Sequence, residues 1–195
     1  MLKVAITGGI GTGKTTVANI FQILGIPVYF SDRAAKALMH TDPELIAAIQ
    51  QHFGSEAYES GRLNRAFLSE QVFQDPAKLD LLNSLVHPAV FRDQARWIGE
   101  QSAPYVLFES AIIYEIKRAN AFDAVIVVDA PEELRISRVM SRDSVDESAI
   151  RQRMAAQLPQ QQKVEQADIV IHNNGKDSLI KQALEVHQLL VAQNR

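Results

Sequence analysis

Short, unbroken apolar runs alternate with longer stretches of helical spacing along this chain. Val4-Ala5-Ile6, Ile26-Pro27-Val28-Tyr29-Phe30, Tyr105-Val106-Leu107-Phe108, Ala124-Val125-Ile126-Val127-Val128 and Ile169-Val170-Ile171 are runs of the first kind. They are continuous rather than alternating, which predicts strands buried on both faces of a parallel sheet. Thr16 to Leu24 places apolar residues at helical spacing and stops at Gly25, a C-terminal helix signal. Ser31 or Asp32 is placed to cap a helix starting at Arg33, and Asp42-Pro43 opens another over Leu45 to Phe53. From Asn64 to Gln101 helical spacing persists, punctuated at Asp75-Pro76 and His87-Pro88. His87-Pro88 on its own reads as a turn with Pro88 opening the following helix. The span 33–101 holds no convincing strand and is too long for one crossover helix, so it reads as a helical lobe inserted into an α/β core. Further helices are expected over about 131–142, 147–157 and 177–193.

Between the first strand and the first helix lies Gly8-Gly9-Ile10-Gly11-Thr12-Gly13-Lys14-Thr15, a complete G-x-x-x-x-G-K-[ST] loop. Strand, glycine loop and helix follow without a gap, which is the context this phosphate-binding motif requires. The glycines allow a tight turn that aims successive N–H groups at an anion, and the helix N-terminus adds positive potential. Gly9, Gly11, Thr12, Gly13, Lys14, Thr15 and Thr16 are therefore the expected nucleotide contacts. Lys14 would bridge the β- and γ-phosphates, and the Thr15 hydroxyl would take a position on Mg²⁺. The predicted fold is a five-stranded, doubly wound parallel sheet of the P-loop NTPase type with the helical lobe inserted.

Composition narrows the class. The 195 residues carry a net charge of −3, with 47% hydrophobic and 22% charged residues and no cysteine. That balance disfavours a nucleic-acid-coating role, and it removes disulfides, thiolate metal sites and cysteine nucleophiles. The first strand starts at once, with no signal-peptide pattern and no apolar run near the length of a membrane span. A cytoplasmic protein without a membrane or nucleic-acid partner is expected, its oligomeric state open.

Three classes of P-loop protein compete. Asn173-Asn174-Gly175-Lys176-Asp177 lacks the residue order of a guanine-reading Asn-Lys-x-Asp segment, and no strand ends in the Asp-Glu of a motor ATPase. A helical lobe plus a late arginine-bearing segment fits a small-molecule kinase that closes over two substrates. Asp32 follows the second strand at the edge where ligands bind in open parallel sheets, which makes it a candidate base as well as a helix cap.

Several segments together resemble the dephospho-coenzyme A kinases. They are Thr7 to Ala18, Ser31-Asp32, Leu85-Val86-His87-Pro88, Glu115 after an apolar run, Val127 to Pro131, Arg138-x-x-x-Arg142-Asp143, and Ile171-x-Asn173-Asn174-Gly175. The match runs over nearly the whole chain in the family's order. The resemblance implies transfer of the ATP γ-phosphate to the ribose 3′-hydroxyl of dephospho-CoA, the last step of coenzyme A synthesis. It implies Asp32 as base, Lys14 and Arg138 on the transferring phosphates, and Arg142 and Asn174 beside the adenine. It also implies His87 and Glu115 on the acceptor side, with Arg33 among the cations available to the acceptor's pyrophosphate (Lys36, Arg62, Arg65 and Arg92 are the others). A lid is expected over 142–166. Glu109 stands where family members commonly carry Asp, and either a Mg²⁺-bound water or an arginine would suit it. Glutamines occupy Gln157 to Gln162 where some members carry arginines, leaving Lys163 as the only positive charge there. The competing readings are another nucleoside or nucleotide kinase, and a non-catalytic nucleotide-binding module.

Overall fold

The structure, a computed structural model, describes residues 1–193. The chain begins β1 (Leu2–Thr7), α1 (Lys14–Ile23), β2 (Val28–Phe30), α2 (Ser31–Thr41) and α3 (Pro43–Phe53). It continues β3 (Tyr58–Glu59), β4 (Arg62–Leu63), α4 (Arg65–Gln74) and α5 (Pro76–Gly99). The last third holds β5 (Tyr105–Glu109), β6 (Ala124–Asp129), α6 (Glu132–Asp143), α7 (Glu147–Ala155), α8 (Gln160–Glu165), β7 (Ile169–His172) and α9 (Leu179–Gln193). Two compact units result, one built from residues 1–30 and those from 101 onward, the other from Ser31–Glu100.

The first unit is a five-stranded sheet in the order β2-β5-β1-β6-β7, every pair parallel. The unbroken apolar runs are explained by burial on both faces. Val4, Ile6, Leu107, Ile126, Val128 and Ile171 pack with Val17 and Phe21 of α1 and with Ala183, Val186 and Leu190 of α9. Their alternates Ala5, Val125 and Val127 face the opposite way and pack with Ile113, Tyr114 and Val164. Each fully buried aliphatic or aromatic side chain contributes about 1.5–3 kcal/mol. Exposed ion pairs such as Arg151 with Glu147 and Glu132 add little beside this, being screened by solvent. The two apolar layers therefore hold the sheet in place. The carboxyl ends of β1, β5 and β6 meet where strand order reverses, the edge at which open parallel sheets bind ligands.

The second unit is helical, with one element the periodicity does not predict. Tyr58-Glu59 and Arg62-Leu63 form a two-residue hairpin whose turn residues, Ser60 at φ 49° and Gly61 at φ 76°, both have positive φ. That is the type I′ geometry a hairpin's twist demands, and Gly supplies it without strain. Asp42 caps α3 by accepting from Glu44 and Leu45 N–H, and Asp75 caps α5 through Ala77 N–H, each followed by Pro at the first helical position.

Two local readings give way to the structure. Helix α5 runs from Pro76 to Gly99 with Pro88 inside it, so His87-Pro88 is not a turn. Pro88 has no N–H for the Ser84 carbonyl, but the burial of Val86, Ala89 and Val90 on either side outweighs that one missing bond. Helix α2 begins at Ser31, which puts Asp32 in its first turn rather than ahead of it. The glutamine-rich stretch also forms its own short helix, α8.

Candidate active site

The glycine loop joins β1 to α1 and is shaped by two left-handed residues, Gly11 (φ 79°) and Gly13 (φ 90°). A Cβ on Gly11 would lie 2.5 Å from the Arg135 carbonyl oxygen, and one on Gly13 would collide with Asn173 Nδ2. Only glycine fits at either place. Thr12 is buried and donates its hydroxyl to the Gly9 carbonyl at 2.9 Å, closing the loop on itself. Gly13 stands at the N-cap of α1 without side-chain capping, so the first N–H groups of the helix keep their donor capacity. An anion is the partner such a terminus favours.

Lys14 and Thr15 of the loop meet a carboxylate from the neighbouring strand. Ile6 of β1 pairs with Glu109 of β5, bringing Glu109 beside the loop. Glu109 is 4% exposed. Its Oε1 accepts the Thr15 hydroxyl at 2.9 Å and lies 3.9 Å from Lys14 Nζ. A carboxylate this buried needs cationic company, and Lys14 is part of it. Thr15 Oγ1 and Glu109 together form a pair of hard oxygen donors of the kind that suits Mg²⁺, which completes its shell with phosphate oxygens and water. Thr16 is exposed on the first turn of α1.

The arginine-bearing helix α6 borders the other side of the loop. Arg138 Nη2 donates to Asn173 O at 3.2 Å and to Asn173 Oδ1 at 3.1 Å, while Asn173 Nδ2 donates to the Thr12 carbonyl at 2.8 Å. Arg138 Nη1 is buried with no partner, one guanidinium edge left for an acceptor. Arg142, one turn further, is exposed and doubly bonded to its neighbour Asp143 at 2.7 and 2.9 Å. That bond holds its pKa above the ordinary value. Asn174 forms an Asx turn, accepting from Lys176 and Asp177 N–H, so its side chain shapes the loop after β7.

Residues that local pattern did not single out also hold the loop. Arg135 is buried, donates from Nε to the Ile10 carbonyl at 3.0 Å, and precedes Arg138 by three residues on the same helix. Burial lowers its pKa, against the opposing pull of Glu132 and Asp129. Gly9 N–H donates to Gln160 Oε1 and Ile10 N–H to Gln157 Oε1, both at 2.9 Å, so the N–H of Gly9, expected to meet the nucleotide, is engaged within the chain instead. Lys163 has no exposed side-chain surface. It bonds Glu115 Oε1 at 2.6 Å and the Ala111 carbonyl at 2.8 Å. Burial pulls its pKa below 10.5; Glu115 raises it, and Lys14 and Arg135 push it down further. Glu115 Oε1 also accepts Leu158 N–H at 3.0 Å, and its Oε2 is buried without a partner. The one positive charge in the glutamine-rich stretch is thus a core strut rather than an exposed lid cation.

In the helical unit, Asp32 and Arg33 are exposed on the first turn of α2. His87 is half-buried on α5, 6.1 Å from the Phe91 ring, and burial lowers its pKa below 6.5. Of the other cations, Arg92 engages Asp42 at 3.4 Å and Glu44 at 3.3 Å within the same unit.

Known proteins share this build. The sequence profile of the dephospho-CoA kinase family matches residues 2–178. Dephospho-CoA kinase from Bacteroides fragilis is 34% identical over 202 residues, covering 99% of this chain and 98% of that one. A solved structure from Thermus thermophilus superimposes with a TM-score of 0.86 at 31% identity, over 96% of both chains. Dephospho-CoA kinase from Campylobacter jejuni shares the fold, with a TM-score of 0.70 at 23% identity over 99% of this chain and 98% of that one. A profile match over most of the length, on a sheet whose first turn is a complete phosphate cradle, leaves one conclusion: the chain belongs to the dephospho-CoA kinase family.

Proposed function

We propose that the chain transfers the γ-phosphate of ATP to the ribose 3′-hydroxyl of dephospho-CoA, using Asp32 as base and the glycine loop as donor cradle. The observation that supports it most is the convergence of Lys14, Thr15 and a buried Glu109 at the end of β1, a donor site already assembled in a chain of this family. Among the described residues no helix is long and apolar enough to cross a membrane.

The chemistry assigns a task to each group. Amides of the loop from Gly11 onward and of the first turn of α1 hold the β- and γ-phosphates, and Lys14 leaves Glu109 to bridge them. Thr15 and Glu109 are the groups that would hold Mg²⁺. Bound Mg²⁺ would neutralise charge on the β- and γ-oxygens. Arg138 Nη1, buried and unmatched, gains a phosphate oxygen, and Arg142 exchanges Asp143 for the nucleotide's base. The turn around Asn174 flanks the base through its backbone. Asp32 lies two residues beyond Phe30, the position paired with Glu109, and accepts the hydroxyl proton late in a loose transition state. His87, Glu115 and Arg33 would serve the acceptor. The segment 142–166 acts as the lid whose closure excludes water and limits hydrolysis of ATP.

One assay tests the reading: purified protein with ATP, Mg²⁺ and either dephospho-CoA, a nucleoside monophosphate, or no acceptor. Phosphorylation of dephospho-CoA is expected. Turnover only with the monophosphate, or ATP binding with no turnover, overturns it. Glu109→Gln keeps an acceptor for the Thr15 hydroxyl but removes the charge. It is expected to raise the Mg²⁺ concentration giving half-maximal rate about 10–100-fold, read from rate against Mg²⁺ at saturating ATP. An unchanged Mg²⁺ dependence would remove Glu109 from the metal site.

A further inference from the structure

The glutamine-rich stretch carries contacts that neither the phosphate chemistry nor the acceptor explains. Ile10 N–H donates to Gln157 Oε1 and Gly9 N–H to Gln160 Oε1, each at 2.9 Å, across 147 and 151 residues of sequence. Gln160 then turns its amide nitrogen to the Val128 carbonyl and to Asp129 Oδ1, both at 3.1 Å, at the carboxyl end of β6. Helix α8, which carries Gln160, and the short segment before it, which carries Gln157, are themselves anchored, through Lys163 on Glu115 and Ala111 and through Leu158 N–H on Glu115. Arg135 closes the set from beneath by donating to the Ile10 carbonyl at 3.0 Å.

We propose that Gln157 and Gln160 are positioning residues for the ATP site, both holding the first turn of the glycine loop and Gln160 also tying it to the end of β6. A glycine-rich loop has more backbone freedom than any other, and a phosphate cradle must not reorganise when charge develops. With the Gly9 and Ile10 N–H groups fixed on side-chain carbonyls, the following amides, Gly11 to Thr15, are held in one arrangement before nucleotide arrives. Glutamine is suited to the task. It accepts one N–H without adding negative charge beside a triphosphate, and at Gln160 its other end donates in the same span. Lysine or arginine here would carry charge to the phosphates but leave both loop N–H groups without an acceptor. The clamp also stands at the trailing root of segment 142–166, so that part of the segment is a fixed post.

The inference rests on the kinase reading, and its test is chosen to separate the two. Gln157→Met, Gln160→Met, the double variant and the control Gln161→Met are made in the full chain. Gln161 is on the helix of Gln160, and its side chain bonds Glu165 rather than the loop. Mg²⁺-ATP affinity is measured by calorimetry without acceptor, beside KM for dephospho-CoA, kcat and thermal midpoint. Each single change is expected to raise the ATP dissociation constant about fivefold, the worth of one neutral hydrogen bond. The double change raises it about 20-fold if the two add. KM for dephospho-CoA and the thermal midpoint stay within the spread of the Gln161→Met control. A double variant that binds ATP like the wild type overturns the proposal. So does one whose ATP affinity, dephospho-CoA KM and thermal midpoint all deteriorate together, since that pattern is general damage. If the wild type binds ATP yet does not phosphorylate dephospho-CoA, the acceptor reading fails while the calorimetric comparison still decides the clamp.

Discussion

Asp32→Asn is expected to lower kcat by about 10²–10⁴-fold, the usual worth of a positioned base, while the ATP dissociation constant stays within about twofold of wild type by calorimetry. Asparagine keeps the shape and the helix position but cannot take the proton of the ribose hydroxyl. The competing role for Asp32 is electrostatic. In the first turn of α2 its charge favours the helix macrodipole by about 0.3–1 kcal/mol. The two roles differ in their readouts. A dipole role moves only the stability of the helical unit by that small amount, and the rate survives. An Asp32→Asn enzyme retaining a tenth or more of wild-type kcat would remove Asp32 from proton transfer.

Glu115→Leu is expected to destabilise the fold by about 3–5 kcal/mol, because it leaves a buried charge without its counter-ion. Lys163, with no exposed side-chain surface, would keep only the Ala111 carbonyl, and Leu158 N–H would lose its acceptor. Urea unfolding of Glu115→Leu, Lys163→Met and the double variant measures the pair. The double variant should recover much of the loss, since neither ion is then stranded. The deficit of Glu115→Leu should also depend on pH. Burial sets the folded pKa of Lys163 below 10.5, and loss of Glu115 removes the group that raised it. Between that lowered value and 10.5 the unfolded chain binds more protons than the folded one, so stability rises with pH across the window. A deficit under 1 kcal/mol, or one that grows toward pH 10, would mean that the pair does not carry this load.

Some of this architecture is legible in local sequence and some is not, for physical reasons that individual residues make plain. The run Ala124 to Val128 announces a strand buried on both faces because every one of its residues is apolar, and Ile126 and Val127 indeed enter opposite layers. The hairpin at Ser60-Gly61 escapes periodicity because two-residue strands are too short to show any. Its turn chemistry was the available signal. Pro88 misleads in the opposite direction. A proline normally argues for a boundary, but the apolar spacing from Leu85 to Val90 continues through it and tertiary burial prevails. Arg135 offered a faint signal as a third arginine on the face of Arg138; its hydrogen bond to the loop did not.

From residues alone came the strand–loop–helix order, the phosphate cradle, the insertion of a helical segment, and the family through its ordered motifs. Those features are encoded within a few residues of each other, in spacing and in the φ that glycine permits. Only folding decided what Glu109, Lys163, Gln157 and Gln160 do. Their partners lie 94, 48, 147 and 151 positions away, at Thr15, Glu115, Ile10 and Gly9. No local pattern encodes such pairs, because a glutamine's spacing does not say which backbone amide it will meet. The sheet says it, by setting the carboxyl ends of β1, β5 and β6 side by side and leaving each buried polar group to find the partner that desolvation demands.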